Sequence, residues 1–352
     1  MIGARLRAAA LQATRSPAFD SVARAGERVA PIRRGRLVVL TWHRVDDPAR
    51  TDSLNPSLVS AVPSAFASQV RLIADRFRPV ALEDVLEAFD GGRRLPPRSV
   101  LLTFDDAYRD FATEAWPVLR RAGVPATLFV PTAYPDSGIG FWWDRIHHAI
   151  VATQRRKAVD SPVGLLELGT AEQRAASARA AHRALRQRSP DEISAIVDRL
   201  VDELSPPPAA RAVLDWDELR SLDRDGVTLA PHSRTHPYLD RLEPVEAEEE
   251  VAGSIADLRR EVRPPLPAFA YPHGADRRPA ADAVRRAGTV VAFTTERGGA
   301  DPSVSDPLHV NRVNVGGRAG LGLLRLQLAW APALRVAPEA GRSDGEPAAT
   351  SR

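Results

Sequence analysis

Short apolar runs recur along the chain with helically spaced segments between them, which is the pattern of repeated strand–helix units around a mainly parallel sheet. Seven strands are expected, over Leu37–His43, Val100–Asp106, Ala126–Thr132, Val227–Ser233, Ala268–Gly274, Thr289–Thr295 and His309–Val315. The segments between them carry helical signals. Phe66, Val70, Ile73 and Phe77 repeat at three and four residues, and Pro244 opens a helix ahead of the acidic run Glu246–Glu250. Seven strands with crossover helices predict an α/β fold, a distorted (β/α) barrel.

Between residues 136 and 214 the strand pattern stops, and the sequence becomes rich in Arg and Ala at helical spacing until it closes on Ser205-Pro-Pro-Pro208. A helical insertion at one barrel loop is expected there. The body then spans residues 37–336, preceded by a helical extension over 1–36 and followed by a polar tail over 337–352, whose Ala, Gly, Ser, Pro and charge predict disorder.

Polar residues collect where the predicted strands end. The first ends in Trp42-His43-Arg44, the second in Asp105-Asp106, the fourth in His232-Ser-Arg-Thr-His236, and the fifth in Tyr271-Pro-His-Gly274. In parallel barrels the loops at that end converge on the active-site mouth, so four strand ends point to one site. Adjacent carboxylates at the end of a buried strand repel each other unless a cation or strong donor sits beside them. With no cysteine in 352 residues, a metal has only imidazole and carboxylate to bind it. One carboxylate with His232 and His236 makes a set used by catalytic zinc. An Asp-Asp pair alone is more often a turn or cap, and a His-x-x-x-His alone is often a solvated helix face. Pro231 and Pro237 bracket the histidines and argue against a helix.

Composition changes the picture little. The net charge is +3, but Lys157 is the single lysine among 48 basic residues and no element carries an unbroken basic stripe, so nucleic-acid binding is not expected. No apolar stretch is long enough for a secretory segment or a membrane span. A cytoplasmic protein is expected, with peripheral membrane contact through the N-terminus left open.

Val100 to Asp106, His232 to Pro237 and Phe269 to Gly274 together resemble the polysaccharide deacetylases with the NodB homology domain, carbohydrate esterase family four. The resemblance runs from about Leu37 to Val315. It implies one divalent metal, most often zinc, and an acetylated glycan as substrate. It further implies that Asp105 is the general base, that Asp106, His232 and His236 are the metal ligands, and that the backbone N–H of His273 helps hold the oxyanion. Where many members have an arginine that fixes the catalytic aspartate, this chain has Ala270. Arg312 is the candidate replacement, with an ordinary surface arginine as the alternative. His43, in Leu40-Thr-Trp-His-Arg-Val45, resembles the histidine acid of one family branch, against a rim histidine that only bonds a loop. His309 is expected to begin its strand, facing away from the mouth. Tyr271, Trp142 and Trp143 are candidates for sugar contact, with packing as the other reading of the tryptophans.

The function expected is hydrolysis of N-acetyl groups on a polysaccharide or oligosaccharide. O-deacetylation and an inactive glycan-binding relative are the alternatives. A two-carboxylate glycoside hydrolase is disfavoured, because Asp105 and Asp106 are neighbours that do not face each other across a sugar.

Overall fold

The computed structural model describes residues 13–14, 16–30, 35–48, 54–317 and 320–331. The first twelve residues and the 337–352 tail lie outside the described residues, so the expected disorder of the tail is not addressed by the structure.

Two six-residue strands, β1 (Leu37–Trp42) and β5 (Ser99–Phe104), pair in parallel along their whole length and are buried at every position. Burial on both faces is why they read as continuous apolar runs without alternation. β10 (Val313–Asn314) adds to the other edge of β1. On the far side of β5, two strands share the edge: β4 (Arg78–Pro79) pairs at its start and β6 (Thr127–Val130) at its end. β7 (Thr228–Pro231) pairs beyond β6. A second parallel ladder joins β8 (Ala268–Ala270) to β9 (Val291–Phe293), and a third joins β2 (Arg44–Val45) to β3 (Val59–Ala61).

The described residues therefore carry ten strands in three sheets, where seven in one barrel were expected. β2, β3 and β4 are only two or three residues long, too short to leave an apolar run in the sequence. The expected strand ends are also shorter: the polar residues after Phe104, Val130, Pro231 and Ala270 have left the ladder and form loops. Although the ladder breaks between β7 and β8, alternate residues of six strands share one core. Leu37, Val39, Leu101, Phe129, Ala230, Ala270 and Phe293 all pack in it. Their neighbours Val38, Leu40, Val100 and Leu102 face the opposite way, into a larger core with Phe66, Val70 and Ile73 of the helix Pro63–Arg76. This is the two-faced packing of an α/β sheet, with period-two alternation sorting side chains between layers.

α1 (Pro17–Val29) is capped by Ser16, whose Oγ accepts from the Phe19 N–H, and it packs against α2 (Leu321–Trp330) at the far end of the chain. Its buried Glu27 pairs with Arg76, Arg98 and Arg325. The N-terminal segment thus contributes a helix that the body holds by a buried charge cluster. The insertion contains three helices, Trp142–Ala152, Ala171–Leu185 and Pro190–Leu204, around a core of their own that includes Ile146, Ile150, Leu168, Ala181, Val197 and Leu200. Buried Arg174 ties it together by donating to the carbonyls of Val151, Thr153, Arg155 and Leu168. Ser189 and Thr170 close capping boxes with Glu192 and Gln173, which explains where two of the helices begin. No described helix is long and apolar enough to cross a membrane.

Candidate metal and catalytic site

β5 ends at Phe104, and the next two residues carry the carboxylates. Asp106 and Ala107 take left-handed backbone conformations, with φ of 73° and 52°, which turn the chain sharply and aim neighbouring side chains apart. Asp105 meets Arg312. The guanidinium donates from Nη1 to Oδ1 and from Nη2 to Oδ2, each at 2.8 Å, and its Nε donates to the Thr294 carbonyl at 2.8 Å. Both side chains are buried, so Arg312 is not a surface arginine. Burial opposes ionisation of Asp105, but the charge and hydrogen bonds of Arg312 outweigh it and hold the carboxyl below its ordinary range.

Asp106 faces the two imidazoles that follow β7. Its Oδ1 lies 3.2 Å from His236 Nε2 and 3.7 Å from His232 Nε2, and the donor atoms of all three residues lie within 4.8 Å of one another. Oδ1 nonetheless has no hydrogen-bond partner, and neither does His236 Nδ1. Buried polar atoms left without a hydrogen bond are costly. The residues fit a metal: donors about 2.1 Å from a tetrahedral centre stand about 3.4 Å apart. The outer contact of His232 agrees. His232 Nδ1 lies 2.7 Å from the Ala270 carbonyl, which can only accept, so Nδ1 carries the proton and Nε2 presents its lone pair inward. Burial pushes the His232 imidazole down to about 4, leaving it neutral at pH 7 as a ligand must be.

His43 directly follows β1, half-buried, with its N–H donating to Ser60 Oγ at 3.0 Å. Its imidazole lies close enough to both aspartates to favour their charged forms. His273 has φ of 57° and stacks flat on Tyr238 with ring centres 3.8 Å apart, while its edge meets His236 at 4.6 Å. Gly274 beside it has φ of 73°, and a Cβ there would stand 2.0 Å from Thr295 Oγ1, so only glycine fits. Burial drives the His273 imidazole well below its ordinary value.

Three expectations need correction. Tyr271 does not face a sugar: it is fully buried, packs on Phe269 and donates its hydroxyl to the Leu308 carbonyl. The period-two alternation that turns His232 inward at one strand end turns Tyr271 into the outer core at another. Trp143 is 5% exposed, stacks on Phe141 and meets the His236 ring edge-on with ring centres 5.1 Å apart, so it backs His236 and presents no open face. His309 precedes β10 and does not begin it. It pairs with Asp276 and Glu296, in the loops that follow β8 and β9. None of its partners belongs to the Asp106, His232 and His236 group.

Trp142 is half-buried and stacks on His182, with ring centres 5.1 Å apart. It lines a cleft of about 580 Å³ with Tyr134, Ile193, Tyr238, His236 and His273, so the insertion forms one wall of a space that reaches His236. Residues that the sequence did not single out complete the surroundings. Tyr108 receives the Trp143 Nε1–H at 2.8 Å and donates to Asp144 at 2.6 Å, and Asp144 also accepts from the Asn55 N–H. Burial raises Asp144 to about 6. Its place in Phe141-Trp-Trp-Asp144 was the only signal available.

The sequence pattern of the polysaccharide deacetylases matches residues 92–292, more than half of the chain. The chain belongs to the polysaccharide deacetylase family. Poly-beta-1,6-N-acetyl-D-glucosamine N-deacetylase of Escherichia coli (strain K12) is 33% identical over 108 residues, a stretch that covers 31% of this chain and 14% of that relative's length. Among solved structures, the fold is similar to Streptococcus pyogenes deacetylase PplD in complex with acetate, with a TM-score of 0.54 at 19% identity over 84% of this chain and 99% of that one. IcaB from Ammonifex degensii gives 0.53 at 18% identity, covering 85% and 97%. The BpsB deacetylase domain from Bordetella bronchiseptica gives 0.52 at 18% identity, covering 81% and 97%. At these identities the structures speak for the fold.

Proposed function

We propose that this chain is a metal-dependent hydrolase that removes N-acetyl groups from sugars of a polysaccharide or oligosaccharide, with one zinc ion held by Asp106, His232 and His236. The observation that carries the reading is the pairing of two differently served carboxylates. Asp106 has two imidazoles and an unbonded oxygen, while its neighbour Asp105 has Arg312 and no place in the ligand group.

The metal, when bound, polarises the acetyl carbonyl and acidifies a water molecule. Asp105, kept anionic by Arg312, is the base that takes the proton from the attacking water. Arg312 holds both carboxylate oxygens, so the base keeps one orientation. The His273 N–H, on its left-handed turn, helps receive the charge that develops on the carbonyl oxygen. His43 gives a proton to the departing amine. The insertion over residues 136–214 is a wall or lid beside the reacting sugar, with Trp142 its aromatic contact and the body at 37–336 carrying the chemistry.

The test is acetate release from a panel of acetylated glycans, headed by β-linked N-acetylglucosamine oligomers because of the curated relative's substrate. Release that depends on zinc and is lost in His232→Ala supports the reading. Glycan binding without release would make the chain a binding module, and release from O-acetyl esters alone would make it an esterase.

A further inference from the structure

The loop that carries the two imidazoles is bent into an uncommon shape. Ser233 and His236 both adopt left-handed conformations, with φ of 61° and 60°, which side chains other than glycine rarely take. Such backbone persists where surroundings over-determine it. The Ser233 hydroxyl accepts the His236 N–H at 3.0 Å from within the loop. The stronger hold comes from outside, from the helix Pro244–Glu261.

Glu250 on that helix accepts the N–H of Arg234 at 2.8 Å and of Thr235 at 2.9 Å through one oxygen, and the Thr235 hydroxyl at 2.6 Å through the other. Charge-assisted bonds to consecutive backbone N–H groups are among the stronger local restraints a side chain can apply. Gly253 and Asp257 follow at three and seven residues, on the same helix face. The Arg234 side chain lies across Gly253, where a Cβ would stand 2.5 Å from its Cδ, and ends on Asp257 at 3.1 Å. Asp257 also accepts from Thr132 Oγ1 at 2.8 Å, and the Thr132 N–H donates to the Ser233 carbonyl. One helix face thus grips residues 233–235 from three points, directly between the two imidazoles.

We infer that Glu250 is a positioning residue for the metal site, fixing the turn that brings His236 into register with His232 and Asp106. The inference rests on the metal reading above. It predicts that Glu250→Ala weakens zinc affinity about 10- to 100-fold, the loss usual when an outer contact of a metal site is removed. The measurement is chelator competition on the metal-free full chain, with a thermal melt of the same sample.

Glu249→Ala, an exposed neighbour on the same helix, should leave zinc affinity within about twofold, the difference between the two glutamates being the loop contact. At saturating zinc Glu250→Ala should regain the parent kcat, which a collapsed site would not. Equal zinc affinity in Glu250→Ala and the parent chain would overturn the inference while leaving the metal reading intact. A parent chain that binds no zinc would overturn both. Should Glu250→Ala not fold, Thr235→Val, which deletes one of the three bonds, and Gly253→Ala, which displaces Arg234, must each weaken zinc binding for the inference to stand.

Discussion

Arg312 and Asp105 are joined by two hydrogen bonds of 2.8 Å across 207 residues of sequence, inside the core at the end of β5. Asp105→Asn should keep its metal and lose about 10²- to 10⁴-fold in kcat, the usual contribution of a general base. Arg312→Lys keeps a charge but cannot reproduce the two-pronged contact. The Asp105 carboxyl should then rise, and the acid limb of the kcat/KM profile should move to higher pH with metal content unchanged. An unmoved limb would show that Arg312 only packs. A buried pair broken on one side costs about 3–5 kcal/mol, so each variant needs a melting curve beside its rate.

His43 and His309 offer opposite expectations. His43 stands near both aspartates, whereas His309 is committed to Asp276 and Glu296. His43→Ala should retain zinc and lower deacetylation by about 10²-fold or more, in the range of general acid catalysis. His309→Ala should change kcat by less than about threefold, well short of what removing a general acid does. The reverse ranking, measured at one zinc concentration, would make His309 the acid.

His309 should also leave a mark on stability. Its hydrogen bond to Asp276, with support from Glu296, raises the imidazole from 6.5 to about 9. The folded protein then holds a proton that the unfolded chain releases above pH 6.5, so the stabilisation is full below pH 6.5 and is lost as pH rises through about 9. Melting temperature should fall over that window in the parent chain and stay flatter in His309→Gln. Parallel curves for the two would remove the ion pair from the stability of this loop.

Trp142 tests the insertion. Its indole lines the cleft that reaches His236 and His273. Trp142→Ala should raise KM for an acetylated oligosaccharide about 10-fold, in line with the ~1–3 kcal/mol that a pocket contact supplies, and leave KM for a small acetylated reporter unchanged. Equal effects on both would assign Trp142 to packing against His182.

Much of the site was legible before the structure. Apolar runs marked β1, β5, β6 and β7, and Asp105, Asp106, His232 and His236 stand at the ends of two of them, because backbone period and strand termination are local properties. The carboxylate and imidazole pattern, in a chain without cysteine, pointed to a metal for reasons of donor chemistry alone.

What tertiary structure decided was every relationship that depends on register and direction. Arg312 reaches Asp105 because β10 and β5 flank β1, with Leu40 opposite Val313 and Thr41 opposite Thr103, a pairing no local pattern encodes. Tyr271 and Trp143 have the composition of sugar contacts, and only side-chain direction sends one into the core and the other behind His236. In the sequence Glu250 is the last residue of the acidic run Glu246–Glu250. Its carboxylate acquires a role only where helix packing brings it against the backbone of Arg234 and Thr235, since a contact across fifteen residues is set by how elements dock and not by what either segment prefers alone.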